Sequence, residues 1–185
     1  MKRYTVDDVL ELNPCSPYTR REIQKLWGKR KSLSLVSIMK LGIPVEDRMW
    51  VACRLLDRRT LVAWACDCVE RVLPIFEKEY PKDKRPRKVI ETTRKRLRGK
   101  ATPKDVEDAA TAAHRSSIAA RTAAAIYVAY AAINTTSACR NSVLRAGAQA
   151  AEAITCATNA CAAYATERAW QSNRLLEYVR GEVTP

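Results

Sequence analysis

The sequence predicts an all-α protein: an elongated helical bundle with a long alanine-rich antiparallel helical hairpin and a small N-terminal helical module. Three observations carry this reading. Apolar residues make up 47% of the chain, yet 28 of them are alanine and aromatics reach only 6%, so the core must form by close approach of backbones. Five glycines in 185 residues are too few for the turns of an all-β chain, and β-branched runs alternating with polar residues are absent. Finally, the composition divides: residues 1–100 hold 3 alanines and an excess charge of +12, whereas residues 101–185 hold 25 alanines and an excess of +1. We expect an N-terminal module over 1–59 and a helical bundle over 60–185. The latter splits into a kinked helix plus a basic helix (60–101) and the hairpin (102–185).

Helix punctuation places the elements in order. Thr5 with Asp8 reads as a capping box and Asn13-Pro14 as a stop, giving a short first helix. Thr19 with Glu22 starts a second, ended by Gly28. A third runs from about Ser34 to Leu41 before Gly42, and Pro44 suits the first turn of a fourth that ends near Leu56. Thr60 is placed to cap a longer helix in which Leu61, Ala65, Cys68, Val72 and Ile75 mark one buried face, with Pro74 kinking it. Pro81 closes that element, Pro86 opens the basic helix, and Gly99 caps its end.

Thr102-Pro103 with Asp105 starts the next element, whose pattern runs to Ile133. Its 31 residues would make a rod of about 46 Å. Asn134 to Ser137 is the expected turn, and a second rod continues to about Arg180. Val106, Ile118, Ile126, Tyr130 and Ile133, with Val143, Ile154, Cys161, Tyr164 and Leu175 on the return, are expected to line a buried seam.

Several function classes are disfavoured. The apolar part of the longest uncharged run, Thr122 to Cys139, is mostly alanine, and the run ends in Asn134, Thr135, Thr136 and Ser137 before Ala138 and Cys139, so no membrane span is expected. Asp7, Asp8 and Glu11 stand where a signal peptide would need an apolar stretch, which makes the cytoplasm the expected compartment. Cys66 and Cys68 would point about 200° apart on a helix, and there is one histidine, His114, so neither a metal nor another cofactor is expected. Glycine-rich phosphate loops and nucleophile elbows are missing, and Asp67 with Glu70 reads more simply as a solvated or paired couple than as an acid–base pair. No catalytic residue is assigned.

The sharpest feature is residues 82–100, KDKRPRKVIETTRKRLRGK, where ten basic residues face two acids and supply +8 of the net +13. Val89, Ile90 and Leu97 are its apolar anchors. The partner-binding candidates are Arg85, Arg87, Lys88, Arg94, Lys95 and Arg98. A structural polar network is expected from Asp67, Glu70, Arg71, Glu91 and His114: Asp67–Arg71 and Glu91–Lys95 have the spacing of ion pairs along one helix, and His114 is read as wedged between alanine helices.

The run from Trp64 to Glu77, followed by Asp83, Arg85-Pro86-Arg87, Ile90-Glu91, Arg94, Arg98-Gly99 and Ala112-Ala113-His114, resembles bacterial immunity proteins of the Imm-5-like group over about residues 61–170. The N-terminal stretch, with Asn13-Pro14-Cys15 and Glu46-Asp47-Arg48-Met49-Trp50, resembles uncharacterised phage and prophage proteins. The resemblance implies an all-helical, non-catalytic protein that neutralises a toxin by binding it. Two features stand outside that pattern, the strongly basic Arg94 to Lys100 stretch and the N-terminal module. A protein partner, either a toxin or a defence effector, is therefore expected. Nucleic acid is the alternative: with no aromatic residue between Lys82 and Lys100, such binding would use the phosphate backbone alone. Assembly into a homo-oligomer stays open.

Overall fold

The computed structural model describes residues 2–15, 17–120, 122–140, 156, 159 and 164–185. The chain opens with a two-residue strand, β1 (Arg3–Tyr4), which pairs antiparallel with β2 (Leu33–Ser34), Tyr4 opposite Leu33. Around this clip lie α1 (Val6–Leu10), α2 (Arg20–Trp27) and α3 (Leu35–Ile38). The Thr5–Asp8 capping box is present, and the Thr19 and Ser34 hydroxyls accept amides three residues on, satisfying donors that a helix start leaves open. Trp27 is buried, with its indole N–H donating to the Tyr4 carbonyl at 3.2 Å.

Beyond Pro44, α4 (Val45–Leu55) leads into α5 (Arg58–Glu79), the central element. Its N-cap is Asp57, one turn before the expected Thr60, whose hydroxyl instead donates back to the Asp57 carboxylate at 2.7 Å. The helix continues through Pro74, which is exposed. Leu61 to Cys66, Cys68 and Val69 are fully buried, so α5 is covered on nearly every side. Leu61, Leu73 and Phe76 each contribute about 1.5–3 kcal/mol by leaving water. Against α5 pack the basic helix α6 (Arg85–Leu97) and α8 (Ala123–Arg140), and α7 (Pro103–Ala119) packs on both. On another side α9 (Tyr164–Arg180) joins α5 to α3 and α4. One continuous apolar cluster runs from Tyr4 to Tyr178.

The all-α expectation holds, but the first alanine rod is two helices. Ala120 leaves α7 in an extended conformation, and the Thr122 hydroxyl accepts the Ala125 amide while donating to Glu79 at 2.7 Å, so the chain turns back here. High helix propensity favoured a continuous rod; packing of α8 against α5 and α6 outweighs it. The expected turn at Asn134 to Ser137 lies inside α8. Much of the second rod, with Val143, Ile154 and Cys161, falls outside the described residues. Val106 and Leu175 are buried as expected, whereas Ile118, Tyr130 and Tyr164 are exposed. No helix among the described residues is long and apolar enough to cross a membrane.

Ala109, Ala110 and Ala113 of α7 and Ala125, Ala129 and Ala132 of α8 form the hairpin's buried seam. Because Ala113 is fully buried there, Ala113→Leu should destabilise by about 1–3 kcal/mol. His114→Ala, next to it but exposed, should stay within about 0.5 kcal/mol of wild type. Chemical denaturation of the two variants checks the contrast.

Candidate protein interface on the basic helix

The outward chemistry of α6 is decided by what its inward side chains touch. Asp67, Glu70 and Glu77 stand on one side of α5 at intervals of three and seven residues, while Arg87 and Arg94 stand seven apart on α6, so two carboxylate sites face two guanidiniums. Arg87 grips Glu77 through two parallel bonds of 2.6 and 2.7 Å. Arg94 grips Glu70 the same way, at 2.7 Å for each bond, and its Nη2 also donates to Asp67 Oδ1 at 2.5 Å. Such forked pairs fix orientation as well as adding energy.

A second helix reaches the same carboxylate. Arg174 Nε and the Tyr178 hydroxyl, both on α9, donate to Asp67 Oδ2 at 2.5 and 2.9 Å. Arg71 turns away from Asp67 to Glu167 of α9 at 2.9 Å and lies over the Trp170 ring at 4.5 Å. Glu167 also accepts from Gln171, whose backbone carbonyl takes the buried Trp64 indole N–H. The bonds to Glu70, with Asp67 adding to them, hold the Arg94 guanidinium more firmly protonated than usual. Burial, reinforced by the Asp67 charge, pushes the Tyr178 phenol up.

The structure thus redistributes the expected site residues. Arg85, Arg87 and Arg94 are engaged internally, Arg85 by Asp83 at 2.6 and 2.8 Å. A half-buried guanidinium needs a partner, and carboxylates of α5 and of the preceding turn supply it. Asp67 and Arg71 do not pair with each other. Glu91 is exposed and, among the described residues, makes no ion pair with Lys95. His114 is exposed rather than wedged in the seam, because Ala113 occupies that face. Lys88, Lys95 and Arg98 are exposed and have no ion-pair partner among the described residues.

Lys88, Thr92 and Lys95, at helical spacing, line a groove of about 420 Å³ against Asp105, Asp108 and Ala112 of α7. Those acids are already engaged: Asp105 closes the Thr102 capping box and Asp108 holds Lys104 at 2.9 Å. A bland role also exists for the cations of the last turn, since positive charge near a helix C-terminus is favourable. The residues missed from the sequence are Glu77, Glu167, Arg174 and Tyr178. A signal existed on α9, where Glu167, Gln171, Arg174 and Tyr178 recur at four, three and four residues and form one polar stripe.

The Arg85 side chain, helped by the Arg85 amide, lowers the Asp83 carboxyl from 3.8 to about 2. A carboxyl depressed on folding contributes stability that is complete above its ordinary value and is lost as pH falls through the folded value. Asp83→Asn should therefore be less stable than wild type at neutral pH, and the difference should close as pH falls from about 4 towards about 2. Urea titrations of both proteins across that range measure it.

Comparison with known proteins adds one match. No curated protein and no solved structure matches the chain. The family described as "Imm-5 like putative immunity protein" matches residues 52–178, from the middle of α4 through Tyr178. This span takes in α5, α6 and the α9 residues that meet at Asp67, and it exceeds half of the chain. The protein belongs to this Imm-5 like family.

Proposed function

We propose that this protein is a non-catalytic inhibitor that neutralises a toxin or defence protein by direct contact, docking the open cations of α6 on an acidic surface of its partner. The observation that carries the proposal is the division of α6. Its inward arginines are locked to carboxylates, while Lys88, Lys95 and Arg98 are presented outward on a helix already fixed in place. A charged face held by a rigid scaffold loses little conformational freedom on binding. Its charges would steer the encounter and select the partner more than they would supply raw affinity. Family membership supports a protein partner. The same cations could meet phosphates, and the +8 of residues 82–100 is the feature favouring that reading.

Affinity capture from the native host, with and without nuclease digestion, separates the two. The wild type should retain a stoichiometric protein after digestion, and the Lys88→Ala/Lys95→Ala/Arg98→Ala triple variant should lose it with an unchanged melting temperature, because exposed charges contribute little to stability. Binding to duplex DNA or RNA that falls about a thousandfold between about 50 and 200 mM salt would instead make the protein a nucleic-acid binder. Retention of the captured protein by the triple variant would remove α6 from the interface.

A further inference from the structure

The N-terminal module carries a second concentration of positive charge, remote in sequence from α6 and outside the span that the family matches. Four cations form it: Arg3 on β1, and Lys29, Arg30 and Lys31 in the connection between α2 and β2. The strand pairing brings them together. Arg3 Nε donates to the Ser32 hydroxyl at 3.0 Å and its Nη2 to the Ser32 carbonyl at 2.6 Å, which sets the guanidinium beside Lys31. All four side chains are exposed.

What holds them is neutral. On the other basic segment, Arg85, Arg87 and Arg94 are each answered by a carboxylate. Here Arg30 donates through Nε and Nη2 to the Trp27 and Leu26 carbonyls, at 2.9 Å each, and Arg3 rests on Ser32, so both guanidiniums are fixed in place with no carboxylate against them. Lys29 and Lys31 have no ion-pair partner among the described residues. Several acids of the module are already engaged: Asp7 pairs with Arg20 at 2.5 Å, Asp8 closes the Thr5 capping box and feels Lys2, Glu22 holds Lys25 at 2.8 Å, and Asp47 accepts from Tyr18. Positive charge past the end of α2 is favourable in itself, which accounts for Arg30. It does not account for Arg3, which arrives from another element.

We propose that this patch binds the phosphate backbone of a duplex nucleic acid, independently of sequence. Ammonium and guanidinium groups held without carboxylates match a row of phosphates, and release of counterions supplies the driving force. A protein interface is anchored by aromatic side chains at its centre, and a membrane-adsorbing surface gains much of its hold from apolar side chains that enter the lipid. This module exposes no large hydrophobic side chain among the described residues, and Tyr4, Trp27 and Leu33, close to these cations in sequence, are buried. The lack of an exposed aromatic also removes the stacking that single strands use.

Fluorescence anisotropy of the full chain with labelled DNA duplexes of two unrelated sequences tests the proposal. Saturable binding of equal affinity to both is expected at about 50 mM salt. With four phosphate contacts, log affinity should fall against log salt with a slope of about −3.6, a loss of about 150-fold by about 200 mM. Lys29→Ala/Lys31→Ala, at exposed side chains that make no ion pair, should keep the melting temperature and bring the slope to about −1.8. The Lys88→Ala/Lys95→Ala/Arg98→Ala variant should bind the duplex as wild type does, so failure here is distinct from failure of the α6 reading. No binding at the lower salt, a slope unchanged by the double substitution, or loss of binding in the α6 variant would overturn the proposal. So would phosphatidylserine vesicles or polyglutamate binding as tightly as the duplex.

Discussion

Asp67 is the point through which three helices are held together. Its carboxylate sits on a helix whose flanking residues, Cys66 and Cys68, are fully buried, and its own side chain is only 9% exposed. A charge so placed needs donors from the protein itself, and it receives them from Arg94 on α6 and from Arg174 and Tyr178 on α9. Both oxygens are satisfied only when both neighbours are docked at one particular height along α5. The apolar contacts of α5 tolerate small slides of one helix past another; the short, directional bonds at Asp67 do not. We regard this carboxylate as setting the register of the bundle rather than as its main source of stability, because removing two charges from water offsets much of what their attraction gains.

The same constraint shapes the surface. With Arg87 and Arg94 drawn inward, the faces of α6 left to water carry Lys88, Lys95 and Arg98, and the acids on the neighbouring turns of α7 are already used in a cap and a local ion pair. A run of ten basic residues thus resolves into structural arginines and an outward set in which lysine predominates. Guanidinium suits the first task because it can hold a carboxylate by two bonds, whereas a flexible, hydrated ammonium suits an open surface. A partner would meet a pattern of charge fixed by the interior of the protein.

Local features of the fold were legible in the sequence. The caps at Thr5, Thr19 and Thr102, and the glycine ending α6 at Gly99, are set by residues within a few positions of each other, and the structure contains them. Long-range chemistry was not legible. Spacing along one helix offered Arg71 as the partner of Asp67, but the true partners of Asp67 on α9 lie 107 and 111 residues away, and Arg71 crosses to Glu167. The break at Ala120 was hidden for another reason: alanine favours helix whether or not the chain must turn, and only the packing of α8 on α5 and α6 shows that it does. Among the candidate site residues, sequence identified the helix and its charge, whereas the division between locked and open cations required the positions of Glu70, Glu77 and Asp83.

The register claim is tested most directly by a double-mutant cycle between Asp67 and Arg174, residues joined at 2.5 Å across 107 positions of sequence. Denaturant unfolding of Asp67→Ala, Arg174→Ala and the double variant gives the coupling. A central role for this contact predicts a coupling energy of about 1–3 kcal/mol, with the double variant less destabilised than the sum of the singles. Additivity of the two substitutions to within about 0.5 kcal/mol would contradict it.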